Sequence, residues 1–171
     1  MRMSRDSYEG MNKLVAMLFD ANAVIDNLAY SLDYHYYNRI AEVVHHYVAH
    51  AMPALADEVS DQMLKLSARP VRYPIGGYLT DYEEPVDVFK ALVETLGNLR
   101  QYVRELIEVA DLNDDDEVRI FAEEFLMKLL DYVKQSEEWL DAAGKMDANK
   151  LNVHIKKYTH FINIDDETMI E

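Results

Sequence analysis

The amino-acid sequence predicts an all-α protein: a four-helix bundle followed by a C-terminal tail. Apolar residues recur at helical spacing in four long stretches of the chain. Glycine and proline are scarce, with 5 and 4 among 171 residues, and every proline lies between residues 53 and 85. So few chain breakers elsewhere disfavour a sandwich of short strands and favour long helices.

The first two predicted helices cover residues 8–33 and 38–67. In each, apolar side chains recur three or four residues apart, which is typical of a helix with one buried face. Pro53 lies inside the second stretch, and we expect it to kink or split that helix, because proline lacks the N–H of the helical hydrogen bond. Arg69-Pro70 then ends the second helix.

A connection over residues 71–84 contains Gly76-Gly77 and precedes two further helices. Pro85 suits the first turn of the third helix, which runs to about residue 110. A polar break at 112–116 offers several N-caps for the fourth helix, and Gly144 is predicted to end it. We therefore predict a bundle domain over residues 8–144. The tail, residues 145–171, would be a docked strand or helix, or an arm that reaches a neighbouring subunit.

Composition excludes several classes of function. The chain has no cysteine, so disulfides, thiolate zinc sites and thiol catalysis are excluded, and any metal must be held by His, Asp, Glu or backbone oxygen. A net charge of −15 disfavours binding to bare nucleic acid. No apolar run approaches the roughly 18 residues of a membrane span, and the N-terminus lacks a signal-peptide core. We expect a cytoplasmic protein that does not contact a membrane.

A polar stripe on the second helix predicts a metal site. At about 100° per residue, five polar side chains fall on one face: Glu42, His46, His50, Asp57 and Asp61. The pairs 42/46 and 57/61 are each four residues apart, so each pair could chelate one ion such as iron, manganese or zinc. The two pairs lie about 16 Å apart along one helix. Two antiparallel copies related by a two-fold axis near Ala51 or Met52 would bring them together. The alternative is an ordinary solvated helix face.

Several short motifs follow one another in a recognisable order. Residues 11–19 read Met-Asn-Lys-Leu-Val-Ala-Met-Leu-Phe, and Asp57-Glu58-Val59-Ser60-Asp61 precedes Leu66-Ser67-Ala68-Arg69-Pro70. Asp114-Asp115-Asp116 precedes the fourth helix, and Trp139 lies near its end. In this order and spacing the motifs resemble those of the Dps proteins, the miniferritins of the ferritin-like superfamily, over roughly residues 11–143.

The resemblance implies a di-iron ferroxidase centre at a dimer interface. Its acidic ligands on the second half of the second helix would be Asp57 and Asp61, and its ligands on the first half would be Glu42 and His46. Where the family has His-Trp-Asn near the end of the first helix, this chain has Ala29-Tyr30-Ser31. His35, a few residues later, would replace the missing ligand, or would be an exposed loop residue.

The function implied is that of a Dps-like ferroxidase that stores iron and protects against oxidative stress. Fe(II) would be oxidised by hydrogen peroxide or oxygen at di-iron centres, with zinc or manganese as alternative metals. The hollow homo-oligomer would contain about twelve chains, built from two-fold dimers. DNA binding is expected to be weak or absent. The competing hypothesis is a ferritin-like structural or adaptor protein with a decayed metal site, which acts through its acidic surface or its tail.

A second metal arrangement is also open. Glu42-x-x-His45 matches the Glu-x-x-His of ferritins and bacterioferritins, whose di-iron site lies inside one bundle. Such a site would draw further carboxylates from the other helices: Asp26, Glu94, and Glu123 or Glu124.

Overall fold

The structure is a computed structural model that describes residues 1–76 and 81–161. The α-helices are α1 Arg5–Tyr34, α2 Asn38–Val43, α3 Ala51–Lys65, α4 Pro85–Leu112, α5 Asp116–Lys145 and α6 Ala148–His154. A π-helical turn, Val44–Ala49, joins α2 to α3, and a 3₁₀ turn, Ile155–Tyr158, follows α6. All regular structure in the described residues is helical, so the all-α prediction is confirmed.

Four long helical units make the bundle: α1, the α2–α3 unit, α4 and α5. α1 packs against α3 and α4, and α4 packs against α5. The inward faces carry aliphatic and aromatic side chains with almost no exposure, among them Leu18, Ile25, Val48, Phe89 and Trp139. Removal of these faces from water is the main force that holds the bundle together. The helices of the described part lack an apolar stretch long enough to cross a bilayer.

The second predicted helix is broken, but the break precedes Pro53. The chain changes from α-helical to π-helical geometry at Val44–Ala49, and Pro53 lies in the first turn of α3. In a regular helix the N–H of residue 53 would bond to the carbonyl of Ala49, and proline has none. That carbonyl instead accepts a hydrogen bond from the Asn22 side chain at 2.8 Å. The second helix is therefore split, as expected, and the split lies one turn before Pro53, at the carbonyl that the proline leaves without its helical partner.

The connection between α3 and α4 is held against α1. The Val71 N–H donates to the Asn12 side-chain oxygen at 2.8 Å, and the Tyr8 hydroxyl donates to the Arg69 carbonyl at 2.8 Å. The Arg72 guanidinium lies over the Phe19 ring, 3.6 Å from its centroid. These contacts hold the connection against the side of α1. Residues 77–80 of the predicted connection lie outside the described residues.

The first part of the predicted tail is helical and docked. The Asn152 side-chain oxygen accepts the backbone N–H groups of Arg39 and Ile40 at 3.0 and 3.1 Å. The Phe161 ring stacks on Tyr47 with ring centroids 5.4 Å apart. Residues 162–171 of the tail lie outside the described residues. The expected stop at Gly144 was wrong by one residue: α5 continues to Lys145, and the extended backbone of Met146 ends it.

The N-terminus is fastened to the turn between α4 and α5. The Asp115 carboxylate accepts hydrogen bonds from the Ser4 backbone N–H at 3.0 Å and the Ser4 hydroxyl at 2.6 Å. Burial alone would raise the pKa of the Asp115 carboxyl, but the hydrogen bonds from Ser4 lower it below its ordinary value. The folded state therefore favours the ionised carboxylate, and protonation removes that stabilising contribution.

We expect Asp115→Asn to lower the free energy of unfolding by about 1–3 kcal/mol at pH 7. Because the folded-state pKa is lowered, the contribution is complete above the ordinary aspartate pKa of about 3.9 and is lost as the pH falls through the folded value. Urea unfolding at pH 7 and pH 3 checks this. The difference between wild type and variant should shrink at pH 3, and an equal difference at both pH values would contradict the assignment. Asp131→Asn, an exposed change on α5, is the control.

Candidate functional site

Three of the sequence-predicted ligands share one outer surface. His46 in the π turn and Asp57 and Asp61 on α3 are exposed, as are His50 and Ala54 between them. The inward face of the same segment carries buried apolar residues such as Val48, Met52 and Val59. The row formed by residues 46, 50, 54, 57 and 61 therefore points away from the bundle, where a second copy of the chain could reach it.

Glu42 lies at the edge of that surface, in a groove between α1 and α2. The groove has a volume of about 260 Å³ and is lined by Asp33, Tyr30, Glu42 and His45, among other residues. Glu42 is half-buried there. Two carboxylates and one imidazole thus face a common open space, which is suited to a hydrated cation.

His35 has a partner on another connecting segment. It follows the end of α1, and its Nε2 atom is 3.2 Å from the carboxylate of Asp81, which precedes α4. This contact joins the segment after α1 to the segment before α4.

Three histidine rings lie close together on the π turn, and one of them contacts a carboxylate of α1. The His45 Nδ1 atom lies 2.9 Å from a carboxylate oxygen of Asp26 on α1, and both side chains are partly exposed. The His45 and His50 rings lie 4.3 Å apart, and the His46 ring lies 5.3 and 5.4 Å from them. We call His45, His46 and His50 the histidine triad. Burial lowers the pKa of His50, and the imidazoles of His45 and His46 lower it further.

The interior of the bundle does not fit a di-iron centre of the ferritin type. Such a centre needs carboxylates and imidazoles that project inward from facing helices. In the described ranges, the fully buried polar side chains are all uncharged: Ser7, Asn12, Ser31, Gln135 and Ser136. Glu94, Glu123 and Glu124 are exposed on α4 and α5. The Glu42-x-x-His45 arrangement inside one bundle is therefore not formed in this part of the chain.

In the side-chain conformations seen over residues 1–76 and 81–161, no three His, Asp or Glu residues are placed to hold an ion within one chain. The predicted intersubunit site needs a second copy, so a single chain does not test it. Sequence reasoning named Asp26 and His45 only as parts of the site inside the bundle. It did not identify the triad, because the π turn that brings His45 beside His50 carries no sequence signal of its own.

Comparison with known proteins identifies the family. Residues 8–146 match the ferritin family model, described as a ferritin-like domain. The fold is similar to an open pore ferritin from the hyperthermophilic archaeon Archaeoglobus fulgidus, with a TM-score of 0.83 and 13% sequence identity over 91% of this chain and 96% of that chain. At this identity the likeness shows the fold alone. No curated protein matches the sequence. Because the family model covers most of its length, the chain belongs to the ferritin-like domain family.

Proposed function

We propose that the protein oxidises Fe(II) and stores the ferric product, using sites formed where two copies of the chain meet. The observation that carries this proposal is the location of the metal-capable side chains. The buried residues of the described part include no Asp, Glu or His, whereas His46, Asp57 and Asp61 lie exposed in one row on the outside of the bundle, with Glu42 half-buried. Membership of a ferritin-like family makes iron the first metal to consider.

The proposed partner is a second copy of the chain in antiparallel orientation. Glu42 and His46 of one copy would lie opposite Asp57 and Asp61 of the other, which gives two equivalent sites. Tyr30, Tyr34 and Tyr36 are exposed near the Glu42 groove, and tyrosine is enriched at protein interfaces. This dimer would be the unit of a Dps-like shell of about twelve chains in the cytoplasm.

The proposed chemistry needs two irons close together. Two Fe(II) ions each lose one electron to one hydrogen peroxide, which takes up two protons and leaves as two water molecules. Carboxylates would neutralise the charge of the ferric product, and a small number of carboxylate and imidazole ligands would leave coordination positions free for the oxidant. The acidic surplus of the chain would concentrate cations at the sites and inside the shell. The same charge supports weak or absent DNA binding.

A second candidate function is a ferritin-like scaffold or adaptor without iron chemistry. The apolar interior favours it, because the chain retains the family fold without a metal centre inside the described part of its bundle. Such a protein would keep the outer interface and act through its acidic surface or its tail.

The two functions are separated by Fe(II) oxidation, measured on a size-exclusion fraction of known mass. We expect a particle of about twelve chains that oxidises Fe(II) faster than buffer, with either oxygen or hydrogen peroxide as oxidant. A particle of that size that oxidises no faster than buffer would support the scaffold. A monomer without activity would overturn both the shell and the ferroxidase.

A further inference from the structure

The histidine triad lies on one side of the π turn and is a metal-binding candidate independent of the carboxylate pairs. Its three ring centroids are 4.3 to 5.4 Å apart. Two of its members, His46 and His50, are exposed, and His45 is partly exposed. The triad therefore presents three imidazoles to solvent within one short segment of the chain.

The π turn is what assembles the triad. In an α-helix, residues five apart point about 140° away from each other. Here the His50 N–H bonds to the His45 carbonyl at 3.1 Å, the five-residue spacing of a π turn, and the two rings lie side by side. At the end of the π turn, the Asn22 side chain donates to the Ala49 carbonyl, which Pro53 cannot reach with an N–H. π turns are found frequently at functional sites.

Asp26 contacts the ring of His45 and orients it. The Asp26 carboxylate lies 2.9 Å from the His45 Nδ1 atom. A carboxylate accepts, so Nδ1–H is the donor in this contact, and Nε2 is the nitrogen through which the neutral ring would bind a metal. A histidine that ligates a metal typically donates its second N–H to a carboxylate in this way, which holds the ring and raises its basicity. Asp26 is thus a positioning residue for His45.

The distances between the ring centroids are close to those of imidazoles around one small ion. Zn–N bonds of about 2.0–2.1 Å in a tetrahedral site place neighbouring imidazole centroids about 5 Å apart. In the described residues the rings do not converge on one point. Binding therefore requires the side chains of His46 and His50 to rotate, and both are exposed.

We propose that His45, His46 and His50 bind one divalent transition-metal ion of the zinc, cobalt, nickel or copper type, with Asp26 orienting His45. Imidazole is a good ligand for these metals. Three protein ligands leave a fourth position for water. Glu42 and Asp33 line the groove that His45 also lines, and their charge attracts the cation. All three ligands come from one chain. The site shares His46 with the proposed ferroxidase, and His46 and His50 belong to the exposed row that would face the second copy, so separate variants test the two proposals.

The test is titration of the untagged full-length protein with Zn²⁺ and with Co²⁺. Calorimetry measures affinity and stoichiometry, and the visible absorption of Co²⁺ reports on nitrogen ligation. We expect one ion per chain at the triad. His50→Gln should weaken binding at least about tenfold, and Asp26→Asn about 10–100-fold, while circular dichroism stays unchanged. His154→Gln, a histidine on α6, is the matched control and should bind like wild type.

Equal affinity and an equal Co²⁺ spectrum in wild type and His50→Gln would overturn the proposal, as would binding lost equally in His154→Gln. The variant Asp57→Asn distinguishes the proposed histidine metal site from the proposed ferroxidase. That variant should lose Fe(II) oxidation and keep the Co²⁺ spectrum. Intact Co²⁺ binding in a protein that never oxidises iron would reject the ferroxidase alone.

Discussion

Replacing Asp57 and Asp61 together by asparagine is expected to lower the initial rate of Fe(II) oxidation at least about tenfold, to near the rate of buffer. Asparagine keeps the shape of each side chain but removes the anionic oxygens that hold iron. Both positions are exposed, so the fold should not change. The measurement is the rise of ferric absorbance on mixing, with circular dichroism and particle mass measured in parallel.

The matched control is Glu137→Gln with Asp141→Asn on α5. These two acids are also exposed and four residues apart, so the double change removes the same charge at the same spacing. The control should oxidise iron like wild type. Equal loss in both double variants would mean that the total negative charge, and not the outer row on α3, drives the reaction.

Replacing Trp139 by alanine is expected to lower the free energy of unfolding by about 3–5 kcal/mol. The indole is completely buried and packs against Phe89, with ring centroids 5.6 Å apart. Its Nε1–H also donates to the Thr159 hydroxyl at 3.2 Å, and its ring meets Phe161 edge-on at 6.3 Å. Removal of the indole therefore leaves a cavity in the core and also removes contacts that hold the tail. Urea unfolding followed by circular dichroism measures the change.

Trp139→Phe separates these two contributions. It keeps most of the buried apolar area and loses the hydrogen bond to the tail, so a smaller loss of about 1–2 kcal/mol is expected. Proteolysis within residues 148–161 should be faster in both variants than in wild type. A loss below about 1 kcal/mol in Trp139→Ala would contradict the central packing role of this residue.

Much of the candidate surface could be predicted from the sequence. The helical period of about 3.6 residues places Met52 and Val59 on the inner face of the helix. The same period places Asp57 and Asp61 on the opposite, outer face. The alignment of His46 with that row was predicted on the assumption of one regular helix. His46 in fact lies within the π turn, and the exposed positions 50 and 54 connect it to Asp57 and Asp61.

The sequence by itself determined the helices, the buried faces and the family-like order of motifs. These follow from local spacing of apolar residues and from the positions of Pro70 and Pro85, which act within a few residues of themselves. Only the tertiary structure decided that the residues buried in the described part include no Asp, Glu or His, that Asp26 meets His45, and that His45 lies beside His50. The periodicity of apolar residues within one helix carries no information about contacts between helices, such as those of Asp26 with His45 and Asn22 with Ala49.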